Sequence, residues 1–392
     1  MSELKVNSIK GTGASTAAIT INSSSGGATA NITNLSAGRN VIINGACILA
    51  QRTTSKSGIT SSGVCQTVDR WNLTKSAGSG TTTMSQSTDA PTQHGFGFST
   101  KYEITTAATD LSGGNYFIHS QRLMGEDLQR FCKGTSGAKK FTLSFYVKTN
   151  KTGTYNVELQ DNDNTRHCVQ TYTVSDTNWN RYTLSFPADT TGAFDNDVNN
   201  SLVVNFWLAA DLSGFGQGTR ATTWATFAQQ NRAVGNVNIA DSTSNEWLCT
   251  GVQLEVDSTG DGIATDFEHV TKSQELMVCQ RYYYPWMPAG QNSANIGIGC
   301  YTGGGNQYEL SIRHPVRMRA TPNYEEVGGT NYYANFGNTG GNSVVTYNGF
   351  SADQVRDISG GLFTTSAGSH GGKATRARFN NANTSMAFNA EL

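Results

Sequence analysis

The residues of this chain that could do chemistry fall into three sets, and spacing alone assembles none of them into a catalytic centre. The first set is carboxylates. Glycoside hydrolysis needs two carboxyl groups facing one bond, about 5–10 Å apart. Glu103, Glu126, Glu158 and Asp266 occupy unrelated strand or turn contexts, and nothing in the sequence pairs them. The second set is acidic turns: Asp161-Asn-Asp163, Asp195-Asn-Asp197, and Asp257 to Asp261. Hard oxygens on a turn suit calcium, yet none of these stretches carries the full calcium loop with its terminal Glu, and Asp, Asn and Gly are also what turns are made of. The expectation is no cofactor, with a structural calcium as the lesser alternative. The third set is aromatic rings that could stack on sugars. Trp224 and Phe227 lie in TRATTWATFAQQNRA, a polar segment between strand patterns, and Tyr324, Tyr332, Tyr333 and Tyr347 lie among Gly-rich turns near the end of the chain. These six are the candidate glycan-binding residues. Trp71, Trp179, Trp207 and Trp247 sit in or beside strand patterns and read as core.

Local signatures of enzymes are missing as well. There is no G-x-S-x-G, no H-E-x-x-H and no G-x-x-x-x-G-K-[ST]. The expectation is a binding protein and not an enzyme, with a polysaccharide-degrading enzyme as the weakest alternative.

The elements that must position these residues are strands. Gly (43 of 392 residues), Ser, Thr and Asn are abundant and Pro is scarce (6), which favours short strands joined by tight turns. The formal net charge is −1 with no basic stripe, so nucleic-acid binding is not expected. No apolar run approaches the roughly 20 residues that span a bilayer, so membrane insertion is not expected. The opening residues lack the pattern of a secretory signal. Seven scattered cysteines without a C-x-x-C pair read as buried free thiols.

Residues 1–36 form a small-residue arm without a large aromatic ring, too poor in apolar bulk to stay ordered alone. Residues 37–270 carry about ten short strand patterns, from VDRWNLTKS to EWLCTGVQLEV, and predict a β-sandwich. It opens with Val41-Ile42-Ile43 and an Asn44-Gly45 hairpin turn, and MGEDLQRFC supplies one short helix. In GVQLEV, Val252, Leu254 and Val256 face one way, Gln253 and Glu255 the other. Residues 271–286 read as a linker helix, from Leu276, Cys279, Gln280 and Tyr283 three and four apart. Residues 287–392 read as a small β-rich tip domain with paired-glycine turns. The fold class is therefore all-β: an extended arm, a sandwich, a short linker helix and a small β-sandwich tip.

Several blocks carry a resemblance. GVQLE, then ATDFEH, then QELMVCQRYYY resembles the G-x-Q-L-E, T-x-F-E, E-L-x-x-C-Q-R-Y-Y signature of bacteriophage virion fibre proteins. MSELKVNSIKGTGASTAAITI and NLSAGRNVIINGACILAQRTTS resemble the opening of tail-fibre proteins of marine cyanobacterial phages, and VDRWNL and PVRMRATPNY are similar to further blocks of the same family. The stretch from Asp257 to Asp261 is longer than the family's link between Q-L-E and T-x-F-E. The resemblance implies a jelly roll of the carbohydrate-binding-module type, a homotrimer located in the virion, attachment to phage tail or capsid proteins through residues 1–36, and contact of the distal domains with host surface polysaccharide or lipopolysaccharide. A capsid-surface fibre or decoration protein is the alternative role.

Overall fold

A computed structural model describes residues 38–63, 65–257, 260–287, 290, 311–327 and 385–392 with their side chains, and residues 8–9, 19–21, 28–30, 295–301, 307–310, 333–336, 347–354, 358–365 and 374–379 as backbone strands. The fold is all-β. Three short arm strands, β1 (Ser8–Ile9), β2 (Ile19–Ile21) and β3 (Ala28–Ala30), pair antiparallel.

A jelly-roll-type β-sandwich follows, built from two six-stranded antiparallel sheets. The first holds β4 (Ser55–Ile59), β6 (Thr81–Ser87), β7 (Ser99–Thr106), β9 (Phe141–Thr149), β12 (Asn180–Phe186) and β15 (Glu246–Val256), in the order β12-β9-β15-β7-β6-β4. The second holds β5 (Asn72–Lys75), β8 (Tyr116–Met124), β10 (Gly153–Asp161), β11 (Arg166–Val174), β13 (Asn200–Ala210) and β14 (Ala225–Thr226), in the order β14-β11-β10-β13-β8-β5. Alternate residues of each strand enter the core between the sheets. Phe145 of β9, Phe206 of β13 and Trp247 of β15 meet there with ring centroids 5.0–6.1 Å apart. Each fully buried large apolar side chain contributes roughly 2–3 kcal/mol. Trp71 and Trp247 are wholly buried as expected, whereas Trp179 is half-buried at an edge, its indole N–H donating to Asp89 at 2.9 Å.

Two local expectations are corrected. Val41–Ile43 and its return are not a hairpin. Residues 38–45 take a ladder position that β7 vacates: Val41 N donates to Leu254 O, and Val252 N donates to Gly45 O, both at 3.0 Å. Pairing with β15 satisfies this backbone better than a local hairpin would. A Cβ on Gly45 would fall 2.2 Å from Val252 O, so only glycine fits. The second correction concerns the helix after the sandwich. α1 (Gly125–Leu128) and α2 (Leu212–Phe215) are single turns, and α3 runs Lys272–Gln280 with a Thr271/Gln274 capping box. α3 stops short of Tyr284, because Tyr283–Met287 is drawn into a strand, β16.

β16 pairs with β24 (Ser385–Asn389), which also pairs with β19 (Asn323–Val327). A six-stranded antiparallel sheet runs β20-β23-β17-β18-β22-β21, from β17 (Asn295–Tyr301), β18 (Gln307–Arg313), β20 (Tyr333–Phe336), β21 (Tyr347–Gln354), β22 (Ile358–Thr365) and β23 (Ala374–Phe379). After β24 the chain returns to the sandwich. Glu391 pairs with Arg70 and lies 3.5 Å from Arg52, and those two guanidiniums stack 3.5 Å over Tyr282 and Tyr283.

Candidate functional site: a cleft on the outer face of the second sheet

Strand β13 reads as almost continuously buried because both its faces are covered. Leu202, Val204, Phe206 and Leu208 point inward to the core. Val203, Asn205 and Trp207 point outward, beneath the segment 212–238, which folds back across the sheet. Cross-strand pairs share a face. One outward row is therefore Gln160, Val203 and Arg122, the next Glu158, Asn205, Ser120 and Asn72, and the next Trp207, Ile118 and Thr74.

At the centre lies a buried polar knot. Arg232, from the covering segment, grips Glu158 through Nε at 2.9–3.0 Å and Nη2 at 2.7 Å, and its Nη2 also donates to Gln160 Oε1 at 2.9 Å. Its guanidinium stacks on Trp207 at 4.7 Å and on Phe227 at 4.9 Å. Burial alone would raise the Glu158 pKa. The Arg232 charge and hydrogen bonds from His167 and Arg232 outweigh that and hold it at about 2. An ionised carboxylate only accepts, so His167 Nδ1, 2.9 Å from Glu158 Oε1, carries a proton.

Beside this knot a cleft of about 370 Å³ opens along the sheet face. One end is apolar, from Tyr116, Ile118, Trp207 and Phe215; Tyr116 and Phe215 meet edge-on at 5.7 Å. The other end is made of Arg122, Gln160, Asn162 and Asn200, with Gln229 on the rim of the covering segment. Amides dominate its polar lining, and no carboxylate belongs to the lining among the described residues. A groove with an apolar wall and convergent amides suits a polyhydroxyl ligand. The signal for it was present as polar residues at alternate positions of otherwise apolar strands: Ser120 and Arg122, Glu158 and Gln160, and Asn205.

The aromatic candidates whose side chains the structure describes, Trp224, Phe227 and Tyr324, do not assemble. Trp224 is buried (9% exposed). Its ring packs 5.7 Å from Phe141 and its N–H donates to Pro187 O at 2.8 Å. An exposed stacking ring at Trp224 is thus corrected: the indole closes the sandwich edge, because β14 pairs with β11 and pulls the segment inward. Phe227 is half-buried and lies against the knot, 5.3 Å from His167. Tyr324, on β19, donates to Glu326 at 3.1 Å and lies 5.9 Å from Phe388. Tyr332 lies outside the described residues. Tyr333 and Tyr347 belong to β20 and β21, the two opposite edge strands of their sheet, so they are not neighbours in it.

The signature residues instead form a clasp. Gln253 and Glu255 leave the core face of β15 and hold the loop after it. Glu255 accepts from Thr265 N and Oγ1 at 2.9 and 2.7 Å, and Gln253 Oε1 accepts from Glu268 N at 2.8 Å. The Glu268 carboxylate accepts the backbone N–H groups of Gly38 and Asn40 at 2.5 and 3.0 Å. Glu275 of α3 accepts from Asn44 N at 2.5 Å, and Cys279 and Tyr282 are buried. The Q-L-E, T-x-F-E and C-Q-R-Y-Y blocks thus hold together the point where the arm enters the sandwich.

The acidic turns are engaged internally. Asp257 accepts the N–H groups of Gly260 and Gly262, and Asp163 accepts that of Asp195. Asp161 is buried, with the Lys133 ammonium 2.5 Å away; the same ammonium lies 3.1 Å from Asp189 and donates to the carbonyls of Thr191 and Gly192 at 3.1 and 2.7 Å. No group of three or more His, Cys, Asp or Glu suited to a metal occurs among the described residues. Of the cysteines, Cys47, Cys65, Cys168, Cys249 and Cys279 are buried free thiols, whereas Cys132 is exposed because the short helix before it ends in a left-handed turn there; the side chain of Cys300 lies outside the described residues.

No protein-family model matches the chain, and no curated protein matches it. Among solved structures the chain is similar to carbohydrate-binding modules. One is a family 4 module (13% identity, covering 41% of this chain and 71% of that one, TM-score 0.21). Another is the family 11 module of Clostridium thermocellum in complex with a β-1,3-1,4-mixed-linked tetrasaccharide (13% identity, 52% and 95%, TM-score 0.24). A third is the tandem family 22 modules of Paenibacillus barcinonensis Xyn10C (8% identity, 88% and 99%, TM-score 0.25).

Proposed function

We propose that this protein binds glycan through the cleft on the second sheet, without cleaving it. The observation that carries the reading is the cleft itself: about 370 Å³, apolar at one end and lined by amides at the other. Hydroxyls find donors and acceptors in Gln160, Asn162, Asn200 and Gln229, while the C–H face of a pyranose meets Tyr116 and Ile118. Hydrolysis needs two carboxyl groups, one of them protonated to serve as the acid. The carboxylate beside this cleft, Glu158, is held ionised by Arg232.

The role we infer is that of a phage virion fibre, a homotrimer anchored to tail or capsid proteins through residues 1–36 and touching host surface polysaccharide. The motif blocks quoted above support it, and weak single-site binding in three copies gains avidity of roughly 10² or more. A capsid-surface fibre is the alternative, distinguished by the virion partner of the arm.

Two measurements test this. Affinity electrophoresis against a panel of polysaccharides is expected to retard the protein, and a flat panel would remove the glycan reading. Light scattering is expected to return three times the chain mass for the full chain, and a monomer would remove the fibre assembly. The same measurement on a chain starting at Gly38 tells whether the arm or the rest holds the trimer.

A further inference from the structure

We propose that Lys133 and Asp161 are the two halves of an intramolecular isopeptide bond, closed within the folded sandwich by loss of one water. The inference stands apart from glycan binding and from the fibre role, and neither is needed for it.

Lys133 follows the left-handed turn at Cys132, and Asp161 ends β10, 28 residues further along the chain. Both side chains are wholly buried, with Lys133 Nζ 2.5 Å from Asp161 Oδ2. The rings of Phe194 and Trp224 each lie 5.1 Å from that nitrogen, so apolar surface walls the pair. An amine and a carboxyl held in contact react as if at very high concentration. Keeping opposite charges out of water is costly, and an amide carries neither charge.

The surrounding groups are those that amide formation needs. Asn164 N donates to Asp161 Oδ1 at 3.1 Å, and Asn164 Nδ2 reaches Oδ1 and Oδ2 at 3.2 and 3.0 Å. Such donors meet the oxyanion of a tetrahedral intermediate. A second carboxylate, Asp189, has its Oδ2 3.1 Å from the same Nζ. Burial raises the Asp189 pKa, but its hydrogen bonds from Arg166, at 2.9 and 3.1 Å, and from Thr191 N outweigh that and keep it ionised, as a base must be. The carbonyls of Thr191 and Gly192, at 3.1 and 2.7 Å, hold the nitrogen beside the carboxyl.

The step balances without an outside reagent. One proton of the Lys133 ammonium passes to Asp161 Oδ2, leaving a neutral amine and a neutral carboxyl. Nζ attacks Cγ, and the negative charge forms on Oδ1 under the Asn164 donors. Asp189 takes a second proton from Nζ and delivers it to the Oδ2 hydroxyl. The Cγ–Oδ2 bond breaks, water leaves, and Oδ1 becomes the amide oxygen. One N–C bond is made, one C–O bond is broken, and nothing is oxidised or reduced.

The test is the intact mass of the purified full chain, followed by a tryptic digest. The expected mass lies below that of the sequence by one water, after allowing for any removal of Met1. The digest then yields one branched peptide joining Lys133 to Asp161. Lys133→Arg keeps a cation but no amine, and is expected at full mass with no branched peptide. Asp161→Asn is expected to close the same bond with loss of ammonia in place of water. Asp189→Asn is expected to leave part of the chain at full mass; complete closure in that variant removes the role of Asp189. A parent chain that stays at full mass on prolonged incubation while still folded, by its melting curve, overturns the bond. So does a water loss without the branched peptide, as a succinimide at Asp261-Gly262 would give.

Discussion

Arg232 meets the Glu158 carboxylate with two nitrogens at 2.7–3.0 Å while its planar face lies 4.7 Å over Trp207. This contact fastens the segment 212–238 to the outer face of the second sheet and makes one wall of the cleft. The largest aromatic ring of that face is thereby covered by the protein's own guanidinium. Ligand recognition then falls to the amides and to the apolar end at Tyr116 and Ile118.

Removing one partner of that contact leaves the other charge buried and unmet. Glu158→Gln is expected to cost about 3–5 kcal/mol, read by urea denaturation at pH 7. The pH dependence has a definite sign. Glu158 titrates at about 2 in the folded chain, below its ordinary value of 4.5, so its contribution is full above pH 4.5 and is lost as pH falls toward 2. Stability measured across that window should fall more steeply for the parent chain than for Glu158→Gln.

His119 answers at a higher pH. It is buried against Trp71 at 4.3 Å and within 2.8 Å of the Tyr102 hydroxyl, and burial lowers its pKa to about 3. The unfolded chain protonates first, so stability is full above about pH 6.5 and declines as pH falls toward 3. His119→Gln should flatten the stability profile between pH 6.5 and 4.5, above the range in which the contribution of Glu158 changes. An unchanged slope there would show that His119 takes up its proton as readily in the folded chain as in the unfolded one.

Lys133 stands where two carboxylates and two carbonyls converge, a ligand set that hard cations share. Lys133→Ala leaves the buried Asp161 without its counter-charge, while Asp189 keeps its pair with Arg166 at 2.9 Å. The expected loss is about 3 kcal/mol or more, with calcium raising the melting temperature of the variant but not of the parent chain. Equal calcium response in both would show that the pocket does not admit a metal.

The rim of the cleft is accessible without disturbing the knot beneath. Asn162 and Gln229 are exposed, so Asn162→Ala with Gln229→Ala should change stability by no more than about 0.5 kcal/mol each. Glycan affinity in the same double variant should drop about tenfold, measured by affinity electrophoresis. Unchanged retardation would move the binding surface elsewhere.

Much of the architecture was legible because local chemistry dictates it. Alternation in GVQLEV, the turn residues between strands and the three-and-four spacing of Leu276, Cys279, Gln280 and Tyr283 were enough to read a sandwich and a following helix. Where the reading failed, a long-range partner had won. Val41–Ile43 became a neighbour of β15 instead of half a hairpin, and Tyr283–Met287 left the helix to pair with β24.

The candidate site followed the same division. The sequence by itself determined an all-β chain, its strand-rich middle region and the abundance of amides and aromatics from which a sugar site is built. It could not tell which face of a strand looks outward, because that depends on which segment covers it. Trp224 and Trp207 show the difference: the loop residue turned inward once β14 joined the sheet, and the strand residue came to face outward beneath Arg232. Only the tertiary structure, by folding residues 212–238 over β10, β13 and β8, brought Arg122, Gln160, Asn205 and Arg232 from four separate segments to one cleft.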